Sequence, residues 1–287
     1  MLATNALLLL LALSPQKEAP APMPPVRPTA PSPDEGRPPS EKEAKAALEA
    51  SPRHGELVDV KRAAGAPIRT WIVYPERKDK APVVILIHEI FGLSDWMRGV
   101  ADRLAKEGFI AVAPDLLSGL GPGGGGTESA ASRDDVVKLV RGLSPEETRA
   151  RLDAVRDWAA KIPSANGKVA TMGFCWGGAA SFSYAAARPA LSAAVVFYGV
   201  SPAAEELAKL TVPVLGLYGG DDARVTSTIE PAKAELAKRG KTFEANVYDG
   251  AGHGFLRAQE DREGKNLEAA RKAWPRAVKF LEEKTKK

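Results

Sequence analysis

"GKVATMGFCWGGAASFSYAAA", residues 167–187, contains the only cysteine of a 287-residue chain, Cys175. Residues 167–174 form a small apolar run that reads as a strand. Residues 176–187 are rich in alanine and read as a helix. The cysteine stands at the joint. The frame G-x-C-x-G, from Gly173 to Gly177, is a nucleophile elbow with cysteine in place of serine. Such a turn is tight, and side chains two residues either side of the nucleophile would collide there. Glycine at both positions supplies the room. A helix beginning at Trp176 points its amino end at the sulfur, which predicts a lowered thiol pKa.

The same alternation continues outward. On the amino side, "PVVILIH" (82–88) is a continuous β-branched run that fits a strand buried on both faces of a parallel sheet. A helix pattern follows over about 94–106, then a strand, "FIAVAP" (109–114). Glycine-rich "GLGPGGGG" (119–126) lacks the Gly-Lys-Ser/Thr of a phosphate loop and reads as a mobile excursion near a site mouth. "SPEETRARLDAVRDWAAKI" (144–162) is a marked helix, with Ser144 and Glu147 at capping-box spacing and Pro145 at its first position. On the carboxyl side, "LSAAVVFYG", "VPVLGLYGG" and "TFEANVYDG" are three more strands with helices between them. Upstream, "ELVDVKR" and "IRTWIVYP" are strands joined by a turn at Gly65-Ala66-Pro67. Alternating strands and helices predict an α/β fold with a doubly wound, mostly parallel sheet flanked by helices.

Sites in such sheets form beyond the carboxyl ends of the strands. Past the strand 212–219 lie Asp221 and Asp222, and the frame G-x-x-D-x-x-V favours Asp222 over Asp221 as a histidine-orienting acid. Past the last strand lies His253, flanked by Gly252 and Gly254. The order nucleophile, acid, base along the chain marks Cys175, Asp222 and His253 as a candidate triad. Of the two other histidines, His88 closes a buried strand and is expected to hydrogen-bond locally, while His54 has no assigned role.

Composition narrows the function classes. The net charge of +4 comes from 40 basic and 36 acidic residues without a clustered basic face, so nucleic acid is not an expected partner. A single cysteine excludes an intramolecular disulfide and a CxxC metal site. Residues 6–14, "ALLLLLALS", form an apolar run too short to span a bilayer but suited to a secretory signal. The expected organisation is a signal peptide at 1–14, a Pro/Ala-rich disordered tether at 15–50 and a folded domain at 51–287. A short helix is expected within 40–51. Export to the periplasm or outside the cell is expected, without stable membrane insertion after processing; if the run is not a signal, the expected location is the cytoplasm.

With these residues in place, the chain resembles the dienelactone hydrolase (carboxymethylenebutenolidase) family of the α/β-hydrolase superfamily. The resemblance rests on "HEIFGL", "APDLL", "GFCWGG", "LYGGDDARV" and "GAGHGF" and runs from about 56 to 281. It implies an α/β-hydrolase fold and a role for Glu89, which contacts the resting cysteine in that family and helps activate it. It also implies an oxyanion hole from the backbone N–H groups of Ile90 and Trp176, and substrate-carboxylate binding by Arg257 and Arg133. Three positions depart from the family pattern: Val137, Gly254 and the bulky Trp176. The expected chemistry is hydrolysis of a small lactone or activated enol ester through a thioester on Cys175, with no metal or organic cofactor required. Alternatives are a broad-specificity carboxylesterase on the same triad and an exported thiol redox-sensing or binding protein.

Overall fold

The structure, a computed structural model, describes residues 36–241 and 243–285. The expected signal and the first part of the expected tether lie outside the described residues.

Eight strands form one sheet: β1 (Gly55–Val60), β2 (Ile68–Val73), β3 (Ala81–Ile87), β4 (Ile110–Pro114), β5 (Ala165–Phe174), β6 (Ala193–Phe197), β7 (Val214–Gly219) and β8 (Glu244–Tyr248). Their order is β1-β2-β4-β3-β5-β6-β7-β8. β1 and β2 run antiparallel to each other, and β2 runs antiparallel to β4. The pairs from β4 and β3 through to β8 are parallel. This is the α/β-hydrolase fold that the alternation and the resemblance predict. The helices are α1 (Ala44–Ala50), α2 (Asp95–Lys106), α3 (Arg133–Gly142), α4 (Pro145–Ala159), α5 (Trp176–Ala187), α6 (Ala204–Leu207), α7 (Ala223–Thr226), α8 (Ile229–Ala237) and α9 (Lys265–Thr285).

The run at β3 is continuous because both faces of that strand are covered. Val84 and Leu86 belong to one core, with Met97 and Leu104 of α2 and Trp274 of α9. Val83, Ile85 and Ile87 belong to the other, with Leu152 of α4 and Phe182 of α5. A strand buried on both sides has no polar face to show. α4 starts as its capping spacing requires: the Ser144 hydroxyl accepts from the Glu147 N–H at 3.1 Å.

Two expectations are corrected. Residues 36–50 are packed, not a tether. Pro39 O accepts from Trp96 Nε1 at 3.1 Å, Pro38 O from Gln259 Nε2 at 3.1 Å, and Ser40 is fully buried. Their short apolar side chains find partners on α2, where Gly99 leaves room for the Pro39 ring and the Ala44 methyl. The glycine-rich segment is also tied in. Asp115 accepts from the Thr127 N–H and hydroxyl, each at 2.7 Å, and the Thr127 hydroxyl accepts from the Leu93 N–H at 3.0 Å. A buried carboxylate thus anchors the end of the glycine run to the "HEIFGL" stretch.

Candidate active site

Parallel register brings the site together. Ile87 of β3 pairs with Gly173 of β5, so Glu89 and Cys175 each lie two residues past a matched pair. Gly219 of β7 pairs with Tyr248 of β8, so Asp222 and His253 leave adjacent strand ends. All four side chains therefore arise at the carboxyl edge of the sheet.

Cys175 has φ +54° and ψ −115°, a strained backbone for a residue with a side chain. The surrounding glycines make the turn feasible. A Cβ on Gly173 would drive into the Gly177 carbonyl, and one on Gly177 into the Ile87 and His88 carbonyls. The first turn of α5 therefore abuts the end of β3.

The sulfur lies 3.0 Å from His253 Nε2, and His253 Nδ1 lies 2.5 Å from Asp222 Oδ2. Asp222 is nearly buried, whereas Asp221 is half exposed and pairs with Arg262 at 3.1 Å. Of the two aspartates, the structure brings Asp222 to His253 and Asp221 to Arg262. His88 is fully buried. Its Nδ1 donates to Glu89 O at 2.7 Å, which leaves Nε2 to accept from the Leu116 N–H at 3.3 Å. Its ring stacks on Trp176 at 5.6 Å between centroids. The local role expected for it holds: it fixes the backbone at Glu89.

The expected lowering of the thiol pKa does not hold. Burial and the adjacent Glu89 carboxylate push the Cys175 thiol up to about 11, against the opposing pull of the Trp176 N–H, Arg224 and Arg257. Desolvation of an ionised sulfur outweighs one helix end. Burial also raises the Glu89 carboxyl, with Arg257 and His253 pulling it back. Cys175 faces His253, and the Glu89 carboxylate is held instead by Arg257 Nε at 2.7 Å.

Sequence reading missed four neighbours. Tyr198, at the end of β6, is fully buried with φ +42°, and its ring meets His253 edge-on at 5.3 Å between centroids. Its hydroxyl couples electrostatically to Glu89 without a hydrogen bond of ordinary geometry. It stands at a strand end like the other site residues, and that position was its signal. Phe91, inside "HEIFGL", lies under two cations, with Arg133 Cζ 3.5 Å and Arg257 Cζ 5.1 Å from its ring centroid. Arg224, next but one after Asp222, acts on the thiol at longer range. Glu41 completes the group. Its carboxylate pairs with Arg257 Nη1 and, at 3.0 Å, with Arg133 Nη1. The two arginines implied by the resemblance are thus brought together, on an acid from the protein's own chain. A cleft of ≈ 170 Å³ between α4 and α5 shares only Trp176 with this site.

The arrangement lines up a thiol, an imidazole and a carboxylate in one hydrogen-bonded series. Known proteins fit it. The model of the Dienelactone hydrolase family matches residues 68–285. A Yersinia pestis protein provisionally named a carboxymethylenebutenolidase is 32% identical over 229 residues, covering 76% of this chain and 84% of its own. The carboxymethylenebutenolidase of Pseudomonas putida is 31% identical over 207 residues, covering 71% of this chain and 86% of its own. Among solved structures, a Klebsiella pneumoniae protein provisionally named a dienelactone hydrolase superposes with a TM-score of 0.68 at 30% identity, covering 80% of this chain and 98% of its own. The chain belongs to the dienelactone hydrolase family and is a lactone and ester hydrolase of the α/β-hydrolase fold.

Proposed function

We propose that this hydrolase cleaves a lactone or activated enol ester through a thioester on Cys175, with His253 and Asp222 as base and orienting acid. The observation that carries the reading is the unbroken chain Cys175 Sγ, His253 Nε2, His253 Nδ1, Asp222 Oδ2, with contacts of 3.0 and 2.5 Å. As sulfur bonds to the substrate carbonyl carbon, the thiol proton passes to His253, and Asp222 stabilises the imidazolium. The carbonyl oxygen becomes an oxyanion that accepts from the N–H groups of Ile90 and Trp176. Collapse breaks the carbon–oxygen bond, and His253 returns its proton to the leaving oxygen. Water then attacks the thioester while His253 takes one of its protons, and the expelled thiolate is reprotonated.

A thiolate is itself easily expelled from a tetrahedral intermediate. The nucleophile therefore suits substrates whose leaving group is at least as good, such as enols, over stable alkyl esters and amides. With the resting thiol pushed up to about 11, the sulfur waits as a neutral thiol. Moving the Glu89 charge away from it lowers the cost of ionisation, which is the part Glu89 takes in activation.

The test replaces Cys175 with alanine and follows a dienelactone and an activated aryl ester. The reading expects loss of turnover on both in a folded protein. Hydrolysis continuing at the wild-type rate would reject it.

A further inference from the structure

Glu41 sits where an anionic substrate group would sit. Its carboxylate bridges Arg257 and Arg133, whose guanidinium groups converge over Phe91. Arg257 in turn holds Glu89, which acts electrostatically on Cys175. The cluster is therefore contiguous with the reacting sulfur.

Its charge balance decides what it attracts. Arg133, Arg257 and Glu89 alone carry one formal positive charge, a receptor for a carboxylate. With Glu41 the four groups sum to zero, and both guanidinium groups already have an acid partner. Glu41 is also held firmly. Its N–H donates to Arg257 O at 2.9 Å, Ser40 before it is fully buried, and Pro38 and Pro39 are anchored by Gln259 and Trp96. A tethered group acts at an effective concentration of roughly millimolar or higher. A free carboxylate at micromolar level does not displace it.

We infer that Glu41 is a specificity-determining residue: it occupies the two-arginine carboxylate receptor from within and turns the enzyme toward uncharged lactones and esters. The inference rests on the Cys175 reading above and names the substrate class for that site. A purely structural Glu41, a pin for residues 36–43, would alter stability without altering the choice between charged and neutral acyl groups.

The experiment uses the full-length protein and two 4-nitrophenyl esters with one leaving group, a neutral butyrate and the anionic glutarate half ester. Wild type is expected to prefer the butyrate in kcat/KM by roughly tenfold or more, the scale of one charge-assisted hydrogen bond. Glu41→Gln is expected to raise the glutarate-to-butyrate ratio by a similar factor, chiefly through a lower KM for the half ester. Adding Arg133→Ala should remove that gain. Free glutarate should inhibit butyrate hydrolysis by Glu41→Gln more strongly than by wild type. A wild-type preference for the half ester would overturn the inference even if no Glu41 variant folded. So would an unchanged ratio in folded Glu41→Gln. Loss of the Cys175 reading is recognised separately, by Cys175→Ala still hydrolysing both esters.

Discussion

At the residue scale, the thiol's state depends on the charges around it. Glu89 raises the Cys175 pKa, while Arg224 and Arg257 lower it. Because the chain has one cysteine, iodoacetamide uptake reports this thiol alone. Without substrate, the pH midpoint of alkylation should lie above that of a free thiol, about 8.5. Glu89→Gln removes the negative charge and should bring the midpoint down by roughly one unit. A midpoint unchanged or raised in that variant would break the proposed coupling. The two aspartates give a second contrast. Asp222→Asn should reduce kcat by about 10⁴-fold, since the amide carries no charge to stabilise the imidazolium and its NH2 donates to Nδ1, which holds the wrong tautomer. Asp221→Asn, which loses only an exposed pair with Arg262, should stay within about twofold. Steady-state rates on an activated aryl ester measure both.

At the scale of elements, the elbow and the α4 cap are both sequence signals, but they differ in what they carry. Gly177→Ala would press a methyl group against the Ile87 and His88 carbonyls. The first turn of α5, which carries Trp176 next to Cys175, must then move away from β3. The variant should lose about 1–3 kcal/mol of stability and most of its activity. Ser144→Ala removes the cap of α4, a helix that contributes none of the site residues named above. It should cost about 1 kcal/mol and leave kcat intact. Thermal melts with parallel rates separate the two. The strands around the site were legible because β3, β5, β6 and β7 are short apolar runs, each ending in a turn residue or a reactive side chain. Strand direction was less so. "ELVDVKR" and "IRTWIVYP" read as strands joined by a turn, but the antiparallel placement of the second beside β4 depends on a pairing partner outside both segments. Glu41 carried no signal, since it opens a short charged segment, 40–51, whose composition predicts a helix but not what that helix docks on. Only the fold shows that Gly99, Trp96 and Gln259 receive it.

At the scale of the whole molecule, buried and paired titratable groups set the response to pH. His88 is fully buried, and desolvation lowers its pKa below the value of about 6.5 for an unfolded histidine. The unfolded chain therefore binds a proton there that the folded chain resists. Stability from this residue is present above about pH 6.5 and is lost as pH falls below it. Glu147 adds a second window. It is held at about 2 by Arg62 and Arg151, with hydrogen bonds of 2.7 Å to each. Its contribution is present above the unfolded value of about 4.3 and disappears as pH falls toward 2. Because its side chain is about a third exposed, solvent screening keeps that contribution small. Glu89 acts in the opposite sense. Its raised pKa means the folded chain binds a proton more readily than the unfolded chain, so its ionisation costs stability as pH rises past about 4.3. Between pH 7 and 5.5 a carboxylate held low by its arginines, such as Glu147, is ionised in both states, whereas His88 is a source of acid lability there. The thermal midpoint should fall across that interval. His88→Gln, which supplies an amide in place of the imidazole, should lower the midpoint at pH 7 yet flatten its slope from 7 to 5.5. A slope as steep in the variant as in wild type, measured by calorimetry in matched buffers, would assign the lability to another group.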